Sequence, residues 1–91
     1  MIDLNSIKPG DVLIDKYADR RVCIRSEPCV CEVFSYIETI DEKELLHRKY
    51  HLEFYPWLTT KNKITYDTRE QYTLIEKEKY IVEERISYKF E

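Results

Sequence analysis

The stretch 29–57 constrains the fold of this chain more than any other, because it holds two of the three cysteines, both histidines and the only tryptophan. Between residues 30 and 40 the β-branched and aromatic residues Val30, Val33, Phe34, Tyr36, Ile37, Thr39 and Ile40 suit a pleated, half-buried surface, and the charged run Asp41-Glu42-Lys43-Glu44 suits an exposed turn. A long hairpin is expected. Its return arm is residues 46–54, where Leu46, Tyr50, Leu52 and Phe54 alternate with His47, Lys49, His51 and Glu53, with Arg48 the one interruption of the apolar face. Helix is the rival reading of this arm: Asp41 followed three residues later by Glu44 is a capping signal, and the Glu, Lys and Leu after it are good helix formers. Pro56 ends the element in either case, since the residue before a proline is pushed towards extended backbone.

Ahead of this stretch, Pro9 and the only glycine, Gly10, predict a tight turn over residues 8–11. A strand over 12–17, a loop at Ala18-Asp19-Arg20 and a returning strand through Val22, Cys23 and Ile24 come next, and Ser26-Glu27-Pro28 breaks the second strand. Beyond the central stretch, 58–62 reads as a loop and Ile64-Thr65-Tyr66 as a short strand. Thr68 to Gln71 has the form of a capping box. A helix over 69–86 would scatter Tyr72, Leu74, Ile75, Tyr80, Ile81 and Val82 around its circumference. A closing strand is predicted instead, with Tyr80, Val82, Ile86, Tyr88 and Phe90 sharing one face, interrupted only by Glu84.

Ninety-one residues are expected to make one domain, 1–91, with a modest core. Charged residues are 36% of the chain, yet 43% of positions are hydrophobic, enough for folding rather than disorder. The net charge of −3 excludes a general DNA coat and is too small to mark a polyanion mimic. Three cysteines cannot all pair within one chain and no apolar leader follows Met1, so a reducing cytoplasm is expected rather than a secreted disulfide framework. The apolar runs are far shorter than a membrane span.

Two resemblances bear on fold and role. The turn-strand-turn-strand order of residues 7–22, IKPGDVLIDKYADRRV, resembles the opening of SH3-like small barrels, which often begin with a PGD turn. Composition, with eight Tyr, abundant Ile, Lys and Glu, and one Gly, is similar to that of small accessory proteins of AT-rich genomes and of early proteins of T-even-type phages, as are residues 7–22 and 51–57, HLEFYPW. This second resemblance implies a host protein as partner, inhibited or redirected in the host cytoplasm.

Motifs that name a reaction are lacking. A C-x-C pair, Cys29 and Cys31, with an H-x-x-x-H pair, His47 and His51, makes a formal zinc set, but register decides whether the pairs meet, and C-x-x-C is the usual structural spacing. The plainer reading makes the thiols small core or sheet residues and the histidines surface residues, so no metal and no cofactor is expected. A single glycine excludes a glycine-rich phosphate loop. Arg20, Arg21, Arg25, Arg48 and Lys49, interleaved with Tyr17, Tyr36, Tyr50, Tyr55 and Trp57, are the combination that single-strand nucleic-acid binders use, although Asp15, Asp19, Glu27 and Glu32 lie among the arginines and weaken any phosphate-tracking field. Tyr, Trp and Arg are equally the anchors of protein interfaces, and residues 50–57 hold four aromatics, more than a small core readily absorbs.

The expectation is therefore a mainly β domain, a small SH3-like barrel or a curled antiparallel meander, with or without one short helix near 41–51. It is expected to recognise another protein without catalysis, through Arg20, Arg21, Arg48, Tyr50, Tyr55 and Trp57. Single-stranded nucleic acid is the alternative ligand, and homodimerisation through an edge strand is a competing use of the surface.

Overall fold

The computed structural model describes residues 1–49 and 61–82, with backbone alone for 47–49. The fold is mainly β. Strands β1 (Val12–Asp15), β2 (Arg20–Glu27), β3 (Tyr36–Asp41), β4 (Asn62–Thr65) and β5 (Tyr72–Glu76) form one antiparallel sheet in the order β4-β3-β2-β1-β5, and helix α1 (Glu42–Lys49) follows β3 directly. The first four strands make a meander, and the fifth returns to pair with the first.

The turn over residues 8–11 forms as its residues require. The Asp11 amide donates to the Lys8 carbonyl at 3.0 Å, and Gly10 sits at φ +96°, a conformation other residues rarely adopt. A second reason fixes glycine there: a Cβ on Gly10 would lie 2.0 Å from the carbonyl oxygen of Tyr80, whose own amide donates to the Gly10 carbonyl. The same turn feeds the ladder, with Gly10 N donating to Cys23 O and Cys23 N to Asp11 O.

Contiguous apolar residues in β1 and β2 bury on opposite sides of the sheet, as the two-residue repeat of a strand dictates. On one side Leu13, Cys23, Ile37 and Ile64 pack beneath Ile2, Leu4 and Ile7 of the N-terminal segment, whose 3-10 turn Leu4–Ser6 is capped by Asp3. On the other, Val12, Val22, Ile24 and Ile40 pack against Leu45 of α1 and against Tyr80 and Val82. Both faces are therefore covered. Burial also pushes the Cys23 thiol up to about 12, which leaves it a small hydrophobe rather than a nucleophile.

Three expectations change. The strand expected from residue 30 starts only at Tyr36, because β2 ends at Glu27 before Pro28 and so leaves residues 29–35 without a partner strand; a 3-10 turn, Glu32–Phe34, lies there instead. The return arm begins as helix, since the Asp41 carboxylate accepts from the Lys43 amide at 2.8 Å and Leu45 finds a buried seat; residues 50–54 lie outside the described residues. The closing strand expected from Tyr80 is irregular over residues 80–82, with 83–91 outside the described residues, and the strand that closes the sheet is β5. In β5, Tyr72 and Leu74 are half-buried while Thr73 and Ile75 face out. The box at Thr68 makes a single 3-10 turn, Arg69–Gln71, since the Thr68 hydroxyl accepts from the Thr65 amide behind it and caps no amide ahead of it.

Candidate interaction surface

Two of the three arginines expected to carry recognition, Arg20 and Arg21, are engaged within the fold. Arg20, at the start of β2, gives its Nε to Glu42 Oε1 at 2.7 Å and also bonds Glu76; the Tyr80 hydroxyl donates to Glu42 at 2.8 Å, and Lys79 lies 3.2 Å from Glu76. One corner thus ties β2, α1, β5 and the segment after β5. The Arg20 guanidinium holds the carboxyls of Glu42 and Glu76 below their usual range, while burial and then Glu42 push the Tyr80 phenol up to about 12.

Arg21 is 8% exposed and donates to the hydroxyl and carbonyl oxygens of Thr39, at 3.3 and 3.1 Å. Its charge is turned inward. Arg25 pairs with Glu27 at the surface. The side chain of Arg48, and Tyr50, Tyr55 and Trp57, lie outside the described residues, as do the His47 side chain and His51. Cys29 and Cys31 do not sit on one face of a strand: both lie in the irregular segment ahead of the 3-10 turn, half-buried and exposed respectively. Among the described residues no group of three or more His, Cys, Asp or Glu side chains is placed to hold a metal.

A second buried hub lies across the sheet from this corner. The Asp11 carboxylate is wholly buried and accepts from the Lys8 amide at 2.9 Å, the Glu78 amide at 2.8 Å and Lys77 Nζ at 2.5 Å. Burial alone would raise its pKa, but the bonds from Lys77, Lys8 and Glu78 outweigh it and hold the carboxyl below its usual range.

One loop presents apolar side chains to solvent. In the loop between β2 and β3, Val30 is fully exposed, Phe34 is 73% exposed, and Val33 and Cys31 are also exposed. The one charged residue of the loop points the other way. Glu32 accepts from the Leu4 amide at 3.0 Å and lies 4.0 Å from Arg69, so the usual arrangement of apolar inside and charge outside is reversed.

The loop is also held at its base. The Asn5 side-chain amide donates to the Cys29 carbonyl at 2.9 Å, the Cys29 backbone amide donates to the Ser35 hydroxyl at 2.8 Å, and that hydroxyl donates to Asn5 Oδ1 at 2.5 Å. Within it, the Phe34 amide donates to Cys31 O and the Ser35 amide to Glu32 O. These bonds satisfy the amides of Cys29, Phe34 and Ser35, which have no ladder partner, and so brace the backbone that carries valine and phenylalanine outward.

Comparisons of the chain with protein-family models, with curated proteins and with solved structures find no significant match. Geometry alone therefore ranks the candidate surfaces. A shallow cleft of about 310 Å³ between the N-terminal segment and β5 is lined by Ile2, Ile7, Tyr72 and Leu74 together with Asp3, Ser6 and Thr73. It is open to solvent and encloses little of any small ligand.

Sequence reasoning missed the loop because Val30, Val33 and Phe34 read as strand residues. The signal available was Pro28, which stops β2 and denies the next seven residues a partner.

Proposed function

We propose that this chain is a small non-enzymatic binding protein that recognises another protein. The observation that carries the reading is the inverted loop, in which Val30, Val33 and Phe34 face solvent on a backbone pinned by Asn5 and Ser35 while Glu32 turns inward. An ordered loop loses little conformational freedom on docking, and exposed aromatic and branched side chains are the groups whose burial drives association. The compositional similarity to early proteins of T-even-type phages supports a host protein as the partner, met in the host cytoplasm. Binding of single-stranded nucleic acid draws less support, since Arg20, Arg21 and Arg25 are committed to Glu42, Glu76, Thr39 and Glu27.

The test is a pull-down from a bacterial lysate with the parent chain and with a Val30→Ser/Phe34→Ser variant, alongside an oligonucleotide mobility shift. The reading predicts partners that the variant loses, and no salt-sensitive shift. A variant that keeps every partner of the parent would sink it.

A further inference from the structure

The three cysteines are not equivalent. Cys23 is sealed in the core on β2, where its thiol donates to the Arg25 carbonyl at 3.3 Å. Cys29 and Cys31 lie outside any strand, half-buried and exposed respectively, with Val30 alone between them. At full extension two residues span at most about 7 Å between Cα atoms, so chain connectivity by itself holds the pair near the roughly 4.4–6.8 Å that a disulfide bridges. The chain is not fully extended here, since it bends at Val30 and Cys31. Val30 has no ladder partner and its side chain is fully exposed, so the backbone can turn there without giving up a packed contact.

We infer that Cys29 and Cys31 form an oxidation site, at which a peroxide closes them to a reversible disulfide and thereby reshapes the exposed loop. This goes beyond the protein-recognition reading and does not rest on it. The exposed Cys31, as thiolate, attacks the peroxide and keeps one oxygen as a sulfenic acid, while the other oxygen leaves as water. The Cys29 thiolate then attacks that sulfur, the S–S bond forms, and the second oxygen leaves as water. Two thiols and one hydrogen peroxide thus give one disulfide and two waters, with both thiol protons ending on the waters. A dithiol reductant reverses the closure. In a reducing compartment a disulfide of this kind is transient and reports oxidant rather than stapling the fold.

The two ends of the ring are held differently. Cys29 is fixed at the base of the loop, its carbonyl accepting from Asn5 and its amide donating to Ser35. Cys31 belongs to the part that carries the apolar side chains, since it precedes the 3-10 turn Glu32–Phe34 and its carbonyl accepts from the Phe34 amide at 3.0 Å. Closure therefore draws Cys31 towards the fixed residue and takes the turn bearing Val33 and Phe34 with it.

Peptide mapping of the full chain after stoichiometric hydrogen peroxide tests this, with remaining thiols alkylated in denaturant before trypsin. Cuts after Arg21, Arg25 and Lys43 place Cys23 in the peptide 22–25 and both Cys29 and Cys31 in the peptide 26–43. Expected is a peptide 26–43 that takes up no alkylating agent, is lighter than its reduced form by two hydrogen atoms and regains both thiols with dithiothreitol, while Cys23 is alkylated throughout. In Cys29→Ser the reaction should stop at the Cys31 sulfenic acid, trapped by dimedone. Amide exchange at Phe34 and Ser35 should shift several-fold in the oxidised parent and not in peroxide-treated Cys29→Ser, whose melting curve shows that it folds.

A peptide 26–43 with both thiols alkylated after peroxide, with Cys31 alone oxidised, or linked to a second chain would overturn the site. A disulfide that leaves exchange at Phe34 and Ser35 unchanged would overturn the reshaping of the loop. Neither result bears on whether the loop recognises a protein.

Discussion

The corner around Arg20 and the loop ahead of β3 make an instructive pair, because each reverses what its residue types suggest. Arg20 reads as a recognition residue in sequence, and in space it bonds Glu42 and Glu76. Valine and phenylalanine in the loop look like core, and in space they face water. The difference comes from partners rather than propensities. Glu42 and Glu76 lie 22 and 56 residues from Arg20 and reach it because helix α1 and the end of β5 converge on the start of β2. The loop residues have no strand beside them, so nothing draws their side chains in. Charge at the corner ties elements of the fold together, and the loop leaves apolar side chains in solvent.

If that contrast is right, substitutions at the polar hubs should cost stability and substitutions in the loop should not. The largest effect is expected at Asp11, where Asp11→Ala leaves two amides and the Lys77 ammonium without their buried acceptor; a loss of about 3 kcal/mol in urea unfolding is expected. Glu42→Ala strands the Arg20 guanidinium and the Tyr80 hydroxyl and should lose about 1–3 kcal/mol by the same measurement.

The pH dependence sharpens the same point. Asp11 and Glu42 both have folded-state pKa values held below normal, so the stability they contribute is present above their unfolded values. It is lost as pH falls through the folded ones. Urea midpoints measured from pH 7 downward should therefore hold until about pH 5 and fall below it, since unfolded carboxyls titrate near 4. In Asp11→Asn the fall should be shallower, because one of the linked protons is gone. An equal slope in both proteins would remove Asp11 from the explanation.

Smaller effects belong to the surface. Arg25→Ala breaks only an exposed pair with Glu27, and a change within about 0.5 kcal/mol is expected. Val30→Ser/Phe34→Ser should likewise leave the midpoint within about 0.5 kcal/mol, since no buried contact is lost. A loss of about 2 kcal/mol or more would mean that the loop is packed in solution, and the contrast with the corner would disappear.

Local chemistry explains what could be read from the sequence beforehand. Pro9 and Gly10 dictate a turn on their own, and the strands that flank it follow from two short apolar runs. The helix after β3 was one of two readings, and its capping residue, Asp41, decided in its favour. Strand β5 escaped notice because Tyr72, Leu74 and Ile75 do not alternate cleanly, and its place beside β1 is a long-range fact. The loop escaped for a related reason. Its shape depends on Asn5 reaching Cys29 across 24 residues and Ser35 across 30, and no window of sequence contains both ends of those bonds. Arg21 shows the limit most plainly: nothing nearby in sequence distinguishes a buried guanidinium seated on Thr39 from a solvent-facing one.

Amide hydrogen exchange on the chain, alone and with a partner captured from lysate, measures the contrast directly. Added protection on binding is expected at residues 29–35, with little change at Arg20, Glu42 and residues 76–80. Protection confined to that corner, with the loop exchanging as freely as before, would contradict it.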